Sequence, residues 1–521
     1  MLLTVRAPAR AQIHPRVSIE VARAALRPRI GLLVVAMLCI LADQTATIGF
    51  GSVTPYVRGL LAADIDSGAW LTIAGGAAYV AGVVATVRLV ERFGRRATLL
   101  TAAGAFALFT AISGLTDDYT TFLIAHTAAQ FFQGISYVVG VVVMCAIFPR
   151  KFFAYTFILL SVASLSGQNL SPLFAGIAVD RATCTEFFAG TAVIIAVATI
   201  LAAFVAPTDE PERKALPFDG VALGVVAATL LGVEYLVVQG ERYAWFDAPH
   251  IPFVVLATLI GGVFVAAHLR FSKHPLVDWR SLCVPTHVIG DVLVAANGSF
   301  VYGSTVLLAF AQTTLGFTPT LAGELLALRL VVLVAVAAAT GVASAKRLID
   351  ARISLGAALL IIAIAFWRIS LETTTGSDLP SLVLDSLLLS VGLAVLTQTA
   401  PGLVFGPIPD EQIASATIFF KLFTLGGTLA ATAIGTTFFD HRVAVWQAEL
   451  AGAVTRSAPA VEALGPHAKL SSLAGIVARQ AANAAYADEM RLFVVVALAV
   501  LPVLALVRPA FRAKISLGWP R

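Results

Sequence analysis

The chain has 521 residues, of which 59% are hydrophobic and only 12% charged, with a mean hydropathy of +0.90. Soluble domains carry about 25% charged residues, so a water-surrounded globule is excluded. The 35 Lys and Arg exceed the 30 Asp and Glu, but they sit between apolar runs, which points to membrane topology and away from nucleic acid.

Those apolar runs are about 18 to 25 residues long, enough to cross a hydrocarbon layer about 30 Å thick. Backbone in lipid must satisfy its own hydrogen bonds, so each run is expected to be a helix. Residues 1–29 carry Arg6, Arg10, Arg16, Arg23 and Arg27 without a continuous apolar stretch, and read as a basic cytoplasmic leader. Six spans follow at 30–52, 70–88, 98–115, 121–147, 156–178 and 188–206, forming an N-terminal bundle over 30–206. Two more, at 220–238 and 251–270, lie in an inserted segment, 207–287. A C-terminal bundle over 288–510 holds spans at 288–311, 320–342, 354–371, 380–404, 416–438 and 490–510, and residues 511–521 form a tail. With the N-terminus inside, most Lys and Arg fall on the cytoplasmic side, which places both termini in the cytoplasm. The connection 440–489 is long and Ala-rich, broken at Pro459 and Pro466. It reads as two amphipathic helices on the external side, either a solvated cap or a docking surface for a partner.

The fold class is therefore all-α integral membrane, with fourteen transmembrane helices. Arg88-Leu89-Val90-Glu91 after the second span is echoed by Arg347-Leu348-Ile349-Asp350 after the tenth. This aligns spans 1 to 6 with 9 to 14 as two homologous six-helix halves. Such repeats enclose a ligand site near the bilayer midplane.

Charged groups at mid-depth are costly in lipid, and each invites a functional reading. Asp43 in the first span is the leading candidate for a proton or cation site, with structural hydrogen bonding as the competing reading. Arg329 in the tenth is a candidate partner for a carboxylate or an anionic substrate, or one member of a buried structural pair. Glu234, Glu324 and Asp385 lie nearer span ends, where snorkelling or a wet vestibule competes with a site role. Asp291 reads as interfacial, and Lys421 as able to snorkel to the inner surface. Gln130, Gln133, Gln168, Asn169 and Asn297 are uncharged polar groups at mid-depth, suited to substrate contact or to interhelical hydrogen bonds.

The segment 88–96, Arg88-Leu89-Val90-Glu91-Arg92-Phe93-Gly94-Arg95-Arg96, resembles the loop motif of the major facilitator superfamily. Val87 and Glu91 replace that motif's glycine and aspartate. In the fifth span, Gly167-Gln168-Asn169-Leu170-Ser171-Pro172-Leu173-Phe174-Ala175-Gly176 is similar to the antiporter motif of the family's fourteen-helix drug:proton antiporters. Pro55, Trp70 and Gly426-Gly427 match further positions. Gln130 stands where the family's fourth span carries an arginine, and Asp43 lies three residues before its usual first-span aspartate.

The resemblance implies a proton-driven exporter of hydrophobic or cationic drug-like molecules in a bacterial inner membrane. A nutrient or metabolite carrier on the same fold is the alternative. Arg88, Glu91, Arg92, Gly94, Arg95, Arg96 and Asp350 would form conformational-switch loops, with the acidic residue latching arginines of the neighbouring half. Gly167, Pro172 and Gly176 would let the fifth span pivot or seal the cavity. A periplasmic adaptor is an expected partner in a two-membrane cell. No nucleotide-binding loop, His-Glu-x-x-His pair or Gly-x-Ser-x-Gly elbow occurs, and Cys39, Cys145, Cys184 and Cys283 have no metal-type spacing. Neither a cofactor, nor a metal, nor an enzymatic centre is expected.

Overall fold

The structure is a computed structural model, and it describes residues 15–148, 152–181, 184–207, 219–272, 275–374, 379–453 and 470–507. The first fourteen residues of the leader, the tail 511–521 and residues 208–218 and 454–469, the last with Pro459 and Pro466, lie outside the described residues.

Among the described residues, fourteen helices are long and apolar enough to cross a membrane. In chain order they are α1 (Pro15–Leu60), α2 (Ile65–Phe93), α3 (Arg95–Leu115), α4 (Tyr119–Ile147), α5 (Phe153–Asp180), α6 (Cys184–Val205), α7 (Gly220–Gln239), α8 (Ile251–Phe271), α9 (Pro285–Thr313), α10 (Pro319–Ala345), α11 (Ala351–Glu372), α12 (Leu379–Phe405), α13 (Ile413–Ala453) and α14 (Leu470–Val500). No strand occurs among the described residues.

The packing is duplicated. Helix α1 packs on α4, α5 and α6, α2 on α4, and α3 on α4 and α6; the same set of pairings recurs among α9 to α14. The two six-helix bundles meet mainly where α5 lies along α10, with α13 touching α2 and α4. Helix α7 leans on α2 and α8, and α8 is almost wholly uncovered, exposing Phe253, Leu259 and Val263. A bare apolar helix of this length is stable where lipid, not water, surrounds it.

Small residues set the closest crossings, because helices in lipid associate through backbone approach and packing more than through hydrophobic burial. A Cβ on Gly82 of α2 would overlap the Phe131 carbonyl of α4, and one on Gly134 of α4 would overlap the Tyr79 carbonyl. Helices α9 and α13 cross equally closely, Gly298 against the Thr424 carbonyl and Gly427 against that of Ala295. Between bundles, Gly176 of α5 abuts the Pro319 backbone, and Gly323 of α10 abuts the backbone of Pro172 and Leu173.

Helix starts carry local caps. Asp64 accepts from the Ser67 N–H at 2.7 Å and Asp118 from that of Thr121 at 2.7 Å. Hydrogen bonding to the Ser67 hydroxyl and N–H holds the Asp64 carboxyl below its ordinary pKa, and the Thr121 N–H and hydroxyl do the same for Asp118.

Three expectations need correction. Segment 88–96 is not a loop: α2 continues through Phe93, and only Gly94, at φ 80°, separates it from α3. Glycine alone takes that backbone angle without strain, which explains its place in the motif. The echoed tetrapeptides also differ in structure, since Arg88 to Glu91 is helical whereas Asp350 caps the Arg352 N–H at the start of α11. The described parts of 440–489 are helical, as expected, but continue the spans beside them: α13 runs on to Ala453 and α14 begins at Leu470. Arg442 and Trp446 bind Asp488 at 2.7 and 2.9 Å and fasten these extensions together.

Candidate functional site

At the centre of the first bundle, the α2–α4 crossing brings Tyr79, Gln133 and Tyr137 onto the face that meets α1. Gln133 and Tyr137 are one turn apart and therefore share that face. All three surround Asp43, which is 0% exposed. Its Oδ1 accepts from the Tyr79 hydroxyl at 2.8 Å and from Gln133 Nε2 at 3.1 Å, and its Oδ2 accepts from Gln44 Nε2 at 2.9 Å. Gln133 also donates to the Asp43 carbonyl and to Thr47 Oγ1, which locks its amide in place.

The fourth donor comes from the other bundle. Lys421 of α13 places Nζ 2.8 Å from Asp43 Oδ2, and the ammonium lies 4.1 Å from the centre of the Tyr137 ring and 5.2 Å from that of Tyr79. Both charged groups are buried. Lys421 therefore does not snorkel as the sequence reading had it. A carboxylate and two aromatic faces compensate its charge more fully than a long reach to the membrane surface would.

An amide chain leads away from Asp43. Gln44 donates to the carboxylate and accepts from Gln168 Nε2 of α5 at 3.0 Å. Gln168 lines a small cavity with Asn169, Ser304, Thr305, Thr397 and Arg329. Arg329 is 2% exposed and donates from Nε to Ser390 Oγ at 2.8 Å, while its Nη1 is buried without a partner.

The remaining candidates disperse. Asn169 bonds back to the Leu165 carbonyl at 2.9 Å, and Asn297 accepts from Thr397 at 3.2 Å. Gln130 pairs with His126 at 3.4 Å, within the first bundle. Asp385 is fully buried and bound by Arg368 of α11 at 2.6 Å, an α11–α12 tie. Glu234 of α7 is buried against Gly76 of α2. Glu324 is exposed near the start of α10 and takes no part in the central cluster. Asp291 is not interfacial: it is 0% exposed, 3.2 Å from an equally buried His287 one turn earlier.

The motif helix-ends behave differently from the latch expected of them. Glu91 pairs with Arg88 of its own helix at 2.6 Å, and Arg88 donates to the Pro275 carbonyl in the segment entering the second bundle. Arg96 anchors α3 to the Ala203 carbonyl of α6 at 2.8 Å, and Arg92 lies 5.6 Å over the Phe93 ring. Arg95 and Glu91 line a cavity of about 760 Å³ that lies between the bundles at this end, with Asp410 and Glu411 on its opposite wall. It extends to Thr86 and Val138, within two turns of Tyr79 and Tyr137. In the antiporter motif, Gly167 seats α5 on the Leu41 carbonyl of α1, Ser171 donates to the Thr45 carbonyl at 2.8 Å, Pro172 lies within α5, and Gly176 reaches across to α10.

Sequence reasoning did not single out Tyr79 or Tyr137, or the buried Glu489, whose Oε1 accepts from the Tyr302 hydroxyl at 3.4 Å. Tyr is amphipathic and common in any span. Only its spacing to Gln133 on one helix face could have marked Tyr137.

Twelve membrane-capable helices in two like bundles, with two more beside them, and a buried ion pair joining the bundles next to a cavity between them, define a membrane transporter architecture. The family model of the Major Facilitator Superfamily matches residues 33–432, and the chain belongs to that superfamily of transporters. A 267-residue match, 26% identical, links it to the uncharacterized MFS-type transporter YhcA of Bacillus subtilis (strain 168). That match covers 49% of this chain and 48% of the relative, so the chain spans about half of that protein's length. The tetracenomycin C resistance and export protein of Streptomyces glaucescens is 23% identical over 450 residues, covering 84% of this chain and 81% of that one. Among solved structures, a POT family transporter in complex with 5-aminolevulinic acid superposes with a TM-score of 0.58 at 13% identity, covering 92% and 95% of the two chains, a likeness of fold alone.

Proposed function

We propose that this transporter exports drug-like small molecules across a bacterial plasma membrane in exchange for protons, with Asp43 as the proton site. The likeness to a resistance and export protein supports the direction of transport. The observation that carries the coupling is the Asp43–Lys421 ion pair, which joins α1 of one bundle to α13 of the other in a buried setting.

A buried pair is held by mutual charge, and removing one charge leaves the other uncompensated. A proton arriving at Asp43 neutralises the carboxylate and frees Lys421, so α13 loses its tie to α1, α2 and α4. The bundles then rock about the α5–α10 seam, opening the opposite face. Release of the proton on the cytoplasmic side restores the pair and closes the cycle. Each charge moved through the membrane potential supplies about 2.3 kcal/mol per 100 mV.

This reading departs from one in which a cationic substrate competes with the proton for Asp43. Lys421 already occupies that position, so the competitor is internal. Lys421→Met, which leaves Asp43 without its counter-ion, complements the decisive variant, Asp43→Asn. In reconstituted vesicles, Asp43→Asn is expected to abolish pH-gradient-driven export while leaving the chain inserted. Export that continues to follow the gradient in this variant rules the proton role out.

A further inference from the structure

We propose that the small cavity at Arg329 is a subsite for the acidic group of the transported molecule, a carboxylate or an aromatic oxyanion. This rests on the transporter reading above and narrows its substrate class.

Arg329 sits ten residues into α10, at mid-depth, with a guanidinium that cannot shed its proton in ordinary proteins. An isolated cation in this setting is strongly disfavoured unless paired. Among the described residues no carboxylate lies within ion-pair distance of it, Ser390 engages only Nε, and Nη1 is buried with no acceptor. Ser390 in turn donates to the Ser386 carbonyl at 2.8 Å, which aims a hydroxyl lone pair at Nε and leaves Nη1 free to pair elsewhere.

The cavity beside Arg329 is about 30 Å³, room for a water or two or for the oxygens of a single carboxylate. Gln168, Asn169, Ser304, Thr305 and Thr397 supply hydroxyl and amide groups around it. Ser304, Thr305 and Thr397 give their hydroxyl protons to the Phe300 and Tyr302 carbonyls and to Asn297, so the donors left to the cavity are the second amide hydrogens of Gln168 and Asn169 and the fork of Arg329, which binds an oxyanion in two-point fashion. The same wall gives a substrate ammonium no carboxylate. Asp43 and Lys421 pair with each other, and among the described residues Arg329 is the one charged residue lining this cavity.

The site is also wired to the proton site. Gln168 on its wall donates to Gln44, and Gln44 donates to Asp43. Neutralising Asp43 weakens the acceptor at the head of this chain and releases the amide at its foot. The charge state of Asp43 and the donors offered to an acidic ligand are thereby linked through two side chains.

The test uses the full chain purified in detergent at fixed pH, with its unfolding midpoint measured against a panel of aromatic acids (1-naphthoate, salicylate, fluorescein), their methyl esters, and amines of similar size. The acids are expected to raise the midpoint by several degrees and the esters and amines to leave it unchanged. Arg329→Gln is expected to weaken the acids by roughly 10- to 100-fold, the loss of one charge-assisted pair. Arg329→Lys, which keeps the charge and guards against a folding defect, is expected to retain the preference for acids. The proposal is overturned if no acid raises the midpoint, if esters do so equally, if Arg329→Gln responds like the parent, or if chloride alone gives the whole effect and the acids add nothing. Binding at equilibrium needs no gradient, so acids that bind while pH-driven flux is absent would sink the exporter reading and leave this one standing.

Discussion

Asp43 and Arg329 are both charged, both buried and both near the middle of their helices, yet their surroundings are opposite. Asp43 collects four side-chain donors, one of them a full counter-charge from the other bundle. Arg329 has one hydroxyl and an empty corner. A saturated charge is bound to the protein's own conformation, because whatever disturbs it must break internal contacts. An unsaturated one keeps its binding capacity for something that is not part of the chain. On the function proposed above, conformational coupling falls to the Asp43–Lys421 pair that joins the bundles and ligand selection to the cavity at Arg329.

The largest effect that can break this contrast is on stability. Asp43→Asn strands Lys421 in a buried setting and is expected to cost about 3–5 kcal/mol. Asp43→Asn with Lys421→Met removes both charges and is expected to recover a substantial part of that loss. Unfolding of the single and double variants in detergent measures the coupling directly. A double variant no more stable than Asp43→Asn alone would mean that the two charges are not a closed pair in the resting protein.

A smaller change sharpens the same point. Tyr79→Phe deletes one donor to the Asp43 carboxylate while Gln133, Gln44 and Lys421 stay in place. Hydrogen bonds to charged groups contribute about 1.5–3 kcal/mol, and the remaining donors relax toward the vacancy, so a loss near the bottom of that range is expected. The change is conservative in shape and should leave insertion intact. A loss as large as that of Asp43→Asn would place the weight of the cluster on the tyrosine and not on the ion pair.

The fold was legible because lipid imposes a strict rule: each span must be a helix of sufficient length, and apolar runs reveal it. All fourteen spans follow from that rule, whereas the duplication into two bundles is read from the echoed tetrapeptides at 88–91 and 347–350. Ends were less legible. Helix α2 runs through the charged motif to Phe93, and α13 and α14 run far past their apolar stretches. In both cases polar residues continue a helix that neighbouring backbone already supports, and hydropathy does not register this. Asp43 could be singled out because a lone acid in a span has few innocent explanations. Lys421 could not, since a lysine two turns from a helix end has an easy route to the surface along its own side chain. What overrides that route is a carboxylate 378 positions earlier in the chain, a relation set by how the bundles dock and absent from any local pattern. Asp291 and Asp385 were misjudged or left open for the same reason: depth along a helix is readable, but which face meets a partner such as His287 or Arg368 is not.

The smallest predicted effect is the most discriminating, because its sign differs. Removing a charge that the fold itself satisfies destabilises; removing one held in reserve does not. Arg329→Met keeps most of the side-chain volume, deletes an uncompensated buried cation, and costs one hydrogen bond to Ser390, whose hydroxyl retains the Ser386 carbonyl. Replacing buried charge by apolar volume is often neutral or stabilising, so a change within about 1 kcal/mol of the parent is expected, on either side of zero. Unfolding of Arg329→Met, measured without any acid present, decides it. A loss of about 3 kcal/mol or more, the scale of a broken buried pair, would show that Arg329 is a structural member of the bundle and would erase the distinction between the two charges.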